Sequence, residues 1–446
     1  MKVGMVSLGC PKNQVDAEVM VGLLRKAGHE MVADETEAEV IVVNTCGFIR
    51  EAKEESIEAV LEMAELKDSG RLKYLIATGC LTQRYRPSLA HEMPEVDAYL
   101  GAGEFPLIAD TLAALIKGQS PDSQTPPPVS RYIYSHETPR IRFTPRHWAF
   151  LKVSEGCDNR CSYCVIPAIR GGLRSRAMDS VVEEARMMAS EGVKELCVIG
   201  QDITAFGSDR KGGATLEKLL HRLEKVKGIE WIRLLYTHPA HFTDGLIDLI
   251  AESPKVLRYL DIPVQHIDDE ILKRMGRKAT SDDIRALIAK LRSKMPDVAL
   301  RTSLIVGFPG ETKARFAELL GFVKEAQFDH LGVFGYSEEE DTPAAMMDGK
   351  VSEELAEERR ERIMGAQKKI SLKKNKARVG DTYRVLVDGP SSESELLVAG
   401  RAYFQAPEID GVVYIAEGDV TPGAFADVKI TKAGDYDLVG KAVPAA

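Results

Sequence analysis

Apolar and polar positions along this chain follow two rhythms, and each change of rhythm marks a change of domain. In the N-terminal part, short apolar and β-branched runs alternate with stretches of helical spacing. Lys2 to Leu8 is followed by Gln14 to Ala27, Glu39 to Val43 by an amphipathic stretch from Ile49 to Leu66, and Lys73 to Ala77 by another helical stretch. Such alternation predicts a parallel sheet with helices on its faces. The same rhythm resumes at Trp148 with six strand candidates: Ala149–Ser154, Glu195–Ile199, Trp231–Tyr236, Leu257–Pro263, Ala299–Val306 and Leu331–Tyr336. Helical segments such as Ser180–Glu191, Leu216–Val226, Ser281–Lys294 and Thr312–Ala326 separate them. A βα run of this length predicts a barrel or partial TIM-like barrel with its chemistry at the carboxyl ends of the strands.

Between the two α/β parts, Gly118 to Pro145 is rich in Pro, Ser, Thr and Gln and contains Pro126-Pro127-Pro128, which predicts a stiff, extended linker. Ser352 to Lys376 is a charged helix, acidic first and basic last, as suits the helix dipole. Beyond it come short strands, Tyr383–Val387, Leu396–Phe404, Val412–Ala416, Phe425–Ile430 and Tyr436–Ala442, which predict a small antiparallel barrel of OB-like size. The chain thus divides into an α/β domain over 1–117, a linker over 118–145, a barrel core over 146–375 and a β-barrel over 376–446.

Composition narrows the class. A chain of 446 residues with 44% hydrophobic and 28% charged residues has room for several packed cores. No apolar run reaches membrane-spanning length, and the N-terminus reads as a first strand instead of a signal peptide, so a cytoplasmic location is expected. In that compartment seven cysteines are ligands or catalysts before they are disulfides. The net charge of −9 argues against gripping nucleic acid over the whole surface.

Three of those cysteines, Cys157, Cys161 and Cys164, stand at C-x₃-C-x₂-C spacing directly after a strand candidate. A cubane iron–sulfur cluster ordinarily takes four thiolates, so three close ligands predict a cluster with one open iron. A zinc knuckle is the alternative, but it wants a fourth ligand nearby, and the nearest downstream histidine is His221. Cys10, Cys46 and Cys80 each follow one of the first three strand candidates. Sites in open α/β sheets form beyond the carboxyl ends of the strands, so these dispersed thiols are expected on one edge, as a second cluster site. Gly9, Gly47 and Gly79 beside them would let backbone approach a bulky group. Cys197, inside a strand candidate, is assigned to the core. Gly200-Gln201-Asp202, His238-Pro239, Gln265-His266 and Gly307-Phe308-Pro309-Gly310-Glu311 fall at the same predicted rim as the three-cysteine motif.

The Cys157-Asp158-Asn159-Arg160-Cys161-Ser162-Tyr163-Cys164 stretch resembles the signature of the radical S-adenosylmethionine (SAM) enzymes. Paired with Cys10, Cys46 and Cys80, and with a β-barrel at the end, the whole chain resembles the radical SAM methylthiotransferases. The resemblance implies two 4Fe-4S clusters, the catalytic one on Cys157, Cys161 and Cys164 and a sulfur-carrying one on Cys10, Cys46 and Cys80, with SAM as cofactor and an external electron donor. Candidate SAM contacts are Gln201, Asp202, Arg301 and Gly307, with Arg174 and Arg176 for the carboxylate of SAM or of the target.

One branch of that family modifies transfer RNA adenosines and the other the β-carbon of an aspartate in the small-subunit ribosomal protein S twelve. Lys152 to Cys157, Tyr259 to His266 and Gln405 to Gly411 are similar to the protein-modifying branch; the transfer RNA branch usually has Ser-Gly where this chain has His266-Ile267. Charge gives an independent vote: from Ala377 onward there are eleven Asp and Glu against six Lys and Arg. A phosphate-binding domain should be basic, whereas an acidic one suits a basic ribosomal protein. Nucleic acid is then met only through the ribosome, and no membrane is involved. A non-catalytic iron–sulfur sensor remains the alternative from another class.

Overall fold

The computed structural model describes residues 1–68, 70–121, 125–129, 131–391, 393–394 and 397–444. Leu396, at the start of one expected strand, and four residues of the expected linker lie outside the described residues. In the N-terminal part, β1 (Lys2–Ser7), β2 (Glu30–Met31), β3 (Val40–Thr45), β4 (Tyr74–Gly79) and β5 (Ala98–Gly101) form a parallel sheet in the order β2-β1-β3-β4-β5. Every residue of β3 is buried, as a central parallel strand covered on both faces requires. The helices are α1 (Pro11–Lys26), α2 (Arg50–Glu65), α3 (Cys80–Glu92) and α4 (Ile108–Ile116). Pro11 opens α1, where its fixed φ suits the first helical turn and its missing N–H costs nothing.

The core begins with β6 (Trp148–Lys152), a short hairpin pair β7 (Ser154–Glu155) and β8 (Arg174–Ser175), and between them α5 (Ile166–Arg170). Then α6 (Met178–Ser190), β9 (Glu195–Ile199), α7 (Leu216–Leu223), β10 (Trp231–Leu234), α8 (Asp244–Glu252) and β11 (Val256–Asp261) follow. The unit closes with α9 (Asp269–Arg274), α10 (Ser281–Lys294), β12 (Ala299–Val306), α11 (Lys313–Ala326), β13 (His330–Gly335) and the long α12 (Glu353–Ala377). Its six parallel strands run in the order β13-β12-β11-β10-β9-β6, an open partial barrel. Period-two alternation splits each strand between two cores. Leu196 and Val198 pack with the helices, for example Leu219 and Leu220. Cys197, Phe150 and Tyr259 join the core that also holds Val15 of α1 and Phe404 of the C-terminal barrel.

That last barrel is built from β14 (Thr382–Pro390), β15 (Val398–Ala402), β16 (Val413–Glu417), β17 (Phe425–Ala433) and β18 (Leu438–Val443), closed in the order β14-β15-β16-β18-β17. It departs from the antiparallel expectation at one place: β16 and β18 pair in parallel. β17 intervenes in the chain and runs the other way, so β18 returns in the direction of β16. The barrel is clamped beneath the core by Glu195, which binds Arg233 at 2.7 Å and Arg401, while Arg401 also holds Asp388 at 2.8 Å.

The described part of the expected linker is no free spacer. Gln83 donates to the carbonyl of Pro127 at 3.0 Å, and Tyr134 is buried. Arg140 ties Glu18 of α1 to Glu184 of α6 and donates to the carbonyl of Phe150 at 2.8 Å. Gly22 makes room for this strap, since a Cβ there would lie 2.5 Å from the backbone of Pro139.

Candidate active site

The contiguous cysteines lie on a loop clamped from both sides. Gly156 sits at φ 72°, and a Cβ there would overlap the carbonyl oxygens of Gly171 and Gly172, so the chain can pass only without a side chain. Cys157 N–H donates to the Gly171 carbonyl at 3.1 Å, and the Asp158 carboxylate accepts from Leu173 N–H at 2.9 Å. On the opposite side, Ser162 N–H donates to Met275 and its hydroxyl to Arg274, while Ala344 N–H donates to the carbonyl of Ser162. Gly276, at φ 70°, lets that strand of backbone press against Arg160. Burial raises the Cys157 thiol and pushes Cys164 up to about 12. Arg277 donates to Cys161 Sγ at 3.7 Å and to the Pro263 carbonyl at 2.6 Å.

The dispersed cysteines are brought together by sheet topology. Cys10 stands immediately before α1, Cys46 follows β3, and Cys80 opens α3 directly after β4. The glycines beside them are the contact points. A Cβ on Gly9 would lie 2.9 Å from Cys46 Sγ, and one on Gly47 would lie 2.7 Å from the Leu81 backbone next to Cys80. Burial opposes ionisation of Cys10, yet the charges of Lys12 and Arg170 outweigh it and hold the thiol below its ordinary value. Cys46 is pushed up to about 12 by burial and by the neighbouring Cys80 and Cys10, and burial raises Cys80 as well. Both sets therefore present three free thiols. Thiols bind a metal as thiolates, which fits a cluster ligated by three cysteines at each place.

The two sets are joined through the segment that follows Cys164. Val165, directly after Cys164, packs with Ile169, Cys80 and Ala102 as one buried apolar patch. Arg170, at the end of α5, donates to Cys80 Sγ at 3.5 Å, to Asn13 at 3.1 Å, to Asp16 at 2.8 Å and to Glu155 at 3.1 Å. Lys152 binds Glu155 at 2.8 Å and also Asp16, and Gln201 donates to Glu155 at 2.8 Å. Burial disfavours the Glu155 carboxylate, but Arg170 and Lys152 hold it well below the usual range.

The remaining candidates divide. Asp202 accepts from Asn159 of the cluster loop at 2.7 Å and from His241 at 2.9 Å, so it braces the loop. Gln201 keeps a buried side-chain oxygen without a partner among the described residues. Arg174 donates to the carbonyls of Arg170 and Gly172, while its Nε and Nη2 stay unpartnered among the described residues, at a groove shared with Glu104 and Arg131. Arg301 is committed to Asp261 at 3.1 Å and to Asp410 of the C-terminal barrel at 3.4 Å. Gly307 has its N–H on Glu311, and a Cβ would collide with Ala356 of α12 at 2.5 Å. Arg176 requires a correction. It is buried against Glu184, Ser180 and the Tyr134 ring, so its guanidinium is taken up in the core instead of being offered to a carboxylate of SAM or of the target. Its closeness in sequence to the cluster loop does not give it that direction in space.

Lys12, Asn13, Asp16, Lys152, Glu155 and Arg170 were not singled out from the sequence as site residues. The available signal was spacing, since Asp16 lies one turn from both Lys12 and Asn13 on a helix that is buried nearly all round.

Three family models match the chain in order: the one described as Uncharacterized protein family UPF0004 over residues 2–101, the Radical SAM superfamily over 151–323 and the TRAM domain over 379–443. Fold and site together thus define a radical SAM enzyme with a second three-cysteine site and a TRAM barrel. Among solved structures, the radical SAM methyltransferase TsrM from Kitasatospora setae has the same fold over 77% of each chain, with a TM-score of 0.58 at 16% identity. The chain belongs to the RimO family of ribosomal protein uS12 methylthiotransferases. It is 51% identical over 440 residues to the member from Pelobacter propionicus, covering 99% of this chain and 97% of that one. Against the Geobacter sulfurreducens member it is 50% identical over 442 residues, covering 99% and 98%. It is accordingly a transferase. Among the described residues no helix is long and apolar enough to cross a membrane.

Proposed function

We propose that this chain places a methylthio group on the β-carbon of an aspartate of ribosomal protein uS12, using SAM and two 4Fe-4S clusters. The observation that carries the reading is one buried patch that joins Val165, directly after Cys164, to Cys80 of the other triad, with Arg170 of the same helix donating to Cys80. Cys157, Cys161 and Cys164 would hold the catalytic cluster, and Cys10, Cys46 and Cys80 the second. When bound, these groups supply one-electron cleavage of SAM and a sulfur atom to be methylated, chemistry that side chains alone lack. The hydrogen leaves the β-carbon with the 5′-deoxyadenosyl fragment of one SAM, the methyl group comes from another, and an external donor supplies the electron.

The chain's own residues do the positioning. Asn159 and Asp202 fix the cluster loop, Gln201 offers its free oxygen to the amino group of SAM, and Arg174 offers its open edge to a carboxylate. Val165, Ile169 and Ala102 keep water from the patch they share with Cys80. We assign domains to 1–117, 146–375 and 376–446, with 118–145 as the connecting segment, and place the enzyme in the cytoplasm. The acidic barrel suits a basic protein partner and leaves nucleic acid contact to the ribosome.

Anaerobic incubation of the reduced, reconstituted enzyme with SAM and uS12 tests this. Cys161→Ala should abolish 5′-deoxyadenosine, whereas Cys46→Ala should keep it and stop methylthiolation. Equal behaviour of the two variants overturns the division of labour. A methylthio group on transfer RNA adenosine with uS12 unchanged overturns the substrate.

A further inference from the structure

Lys12 is a buried cation without a carboxylate partner among the described residues. It lies in the first turn of α1, two residues after Cys10, and only 7% of it is exposed. Its ammonium stands 3.2 Å from the centroid of the Tyr236 ring, and no carboxylate pairs with it among the described residues. The charges around it are already matched: Lys152 and Arg170 share Asp16 and Glu155. Asp261, the acid at the end of β11, is taken by Arg301 and by the N–H of Tyr236 at 3.0 Å. Lys12 therefore has Cys10 as its neighbour of opposite charge on one side and no carboxylate on the other, in a buried place where an added anion would be bound strongly.

Its platform is also built. Tyr236 is a non-glycine residue at φ 62°, held there by Asp261 at its N–H and by Ile203 N–H at its carbonyl, 3.0 Å away. Strain of this kind persists only where the surroundings over-determine it, and it gathers at ligand clamps. The ammonium thus sits between Cys10 on the N-terminal sheet and the carboxyl end of β10 in the core.

We propose that Lys12 binds the side-chain carboxylate of the target aspartate and makes it a specificity-determining residue. The inference rests on the proposed function. A charge-assisted bond of about 2.8 Å to the carboxylate leaves the β-carbon one atom farther on, next to the Cys10 site. An asparagine at the target position offers no negative charge and would leave Lys12 unmatched, so the site selects aspartate.

The test uses the fully loaded enzyme and two synthetic peptides copying the uS12 target loop, one with Asp and one with Asn at the target. Calorimetry without SAM reads binding, and mass spectrometry with SAM reads turnover. Wild-type enzyme should prefer the Asp peptide at least tenfold in Kd. Lys12→Met and Lys12→Gln should bring the preference within about twofold by weakening Asp alone, and Lys12→Arg should restore part of it. Equal binding of both peptides by wild type overturns the proposal without any variant. So does a Lys12→Met enzyme that keeps its preference, or one whose second cluster changes midpoint potential while the preference stays. That last result would make the cluster the counter-charge. Failure of wild type to modify uS12 at all would instead overturn the proposed function.

Discussion

The two cysteine triads present the same three thiols, but they are assembled by different physics. Cys157, Cys161 and Cys164 occupy one loop, and backbone clamps at Gly156, Ser162 and Gly276 give that loop its shape. Cys10, Cys46 and Cys80 are far apart in the chain and meet because three parallel strands end at one edge. Loss of the first site should leave the fold intact. The second is part of the fold, so damage to it should spread. Two glycine substitutions break this comparison most sharply. Gly156→Ala forces a side chain onto a positive φ and into the Gly171 and Gly172 carbonyls. It should lower SAM cleavage by more than a hundredfold (about 3 kcal/mol of barrier or more), with iron lost from the first site and the thermal midpoint of the metal-free protein within a few degrees of wild type. Gly79→Ala, at φ 106° between Thr45 and Asn44 inside the sheet, should lower that midpoint markedly and remove iron from the second site. Thermal unfolding beside site-selective iron spectra reads both.

Next in size is Arg170, beside Cys80. Arg170→Gln removes one cation from a buried set of two cations and two carboxylates and frees Cys80 Sγ. Breaking such a pair on one side costs roughly 3–5 kcal/mol. If the guanidinium joins the two sites as well as stabilising them, the ratio of 5′-deoxyadenosine to methylthiolated product should rise several-fold in this variant. An unchanged ratio with a lowered thermal midpoint would reduce Arg170 to a structural residue.

The clamp on the C-terminal barrel gives a smaller effect, and one that depends on pH. Burial disfavours the Glu195 carboxylate, but Arg401 and Arg233 hold its pKa below the ordinary value of 4.5. A depressed folded pKa means the stabilisation is complete above the ordinary carboxylate range and is lost as pH falls through the folded value. Acid titration of the metal-free protein should therefore release the barrel below pH 4.5, and Glu195→Gln should release it at neutral pH. The count of free acids on that barrel is also smaller than its sequence implies, since Asp388 and Asp410 face Arg401 and Tyr259.

Most of the architecture was legible because its signals are local or topological. Apolar runs and helical spacing locate elements, and the rule that sites form at strand ends places Cys10, Cys46 and Cys80 on one edge. Side-chain partnership is not written that way. Arg174 and Arg176 are two residues apart, yet one opens onto a groove and the other is spent on Glu184. Arg170 and Lys12 were missed because their meaning lies in partners across the chain, Cys80 and Tyr236. The proline-rich segment hid Arg140, whose guanidinium turns an expected spacer into a strap. The parallel pairing of β16 with β18 was hidden too, since a strand's sequence does not state its direction in a barrel.

The smallest expected effect falls on the seventh cysteine. Cys197 is fully buried in the middle of β9, and burial keeps its thiol protonated. It stands two residues short of the end of the strand, and its side chain is packed in the core with Phe150 and Tyr259. Cys197→Ala should cost about 1–2 kcal/mol for a small buried cavity and leave iron content, SAM cleavage and methylthiolation as in wild type. Any loss of iron would mean that a thiol in mid-strand can reach a cluster, and position relative to the strand end would no longer separate ligand cysteines from packing ones.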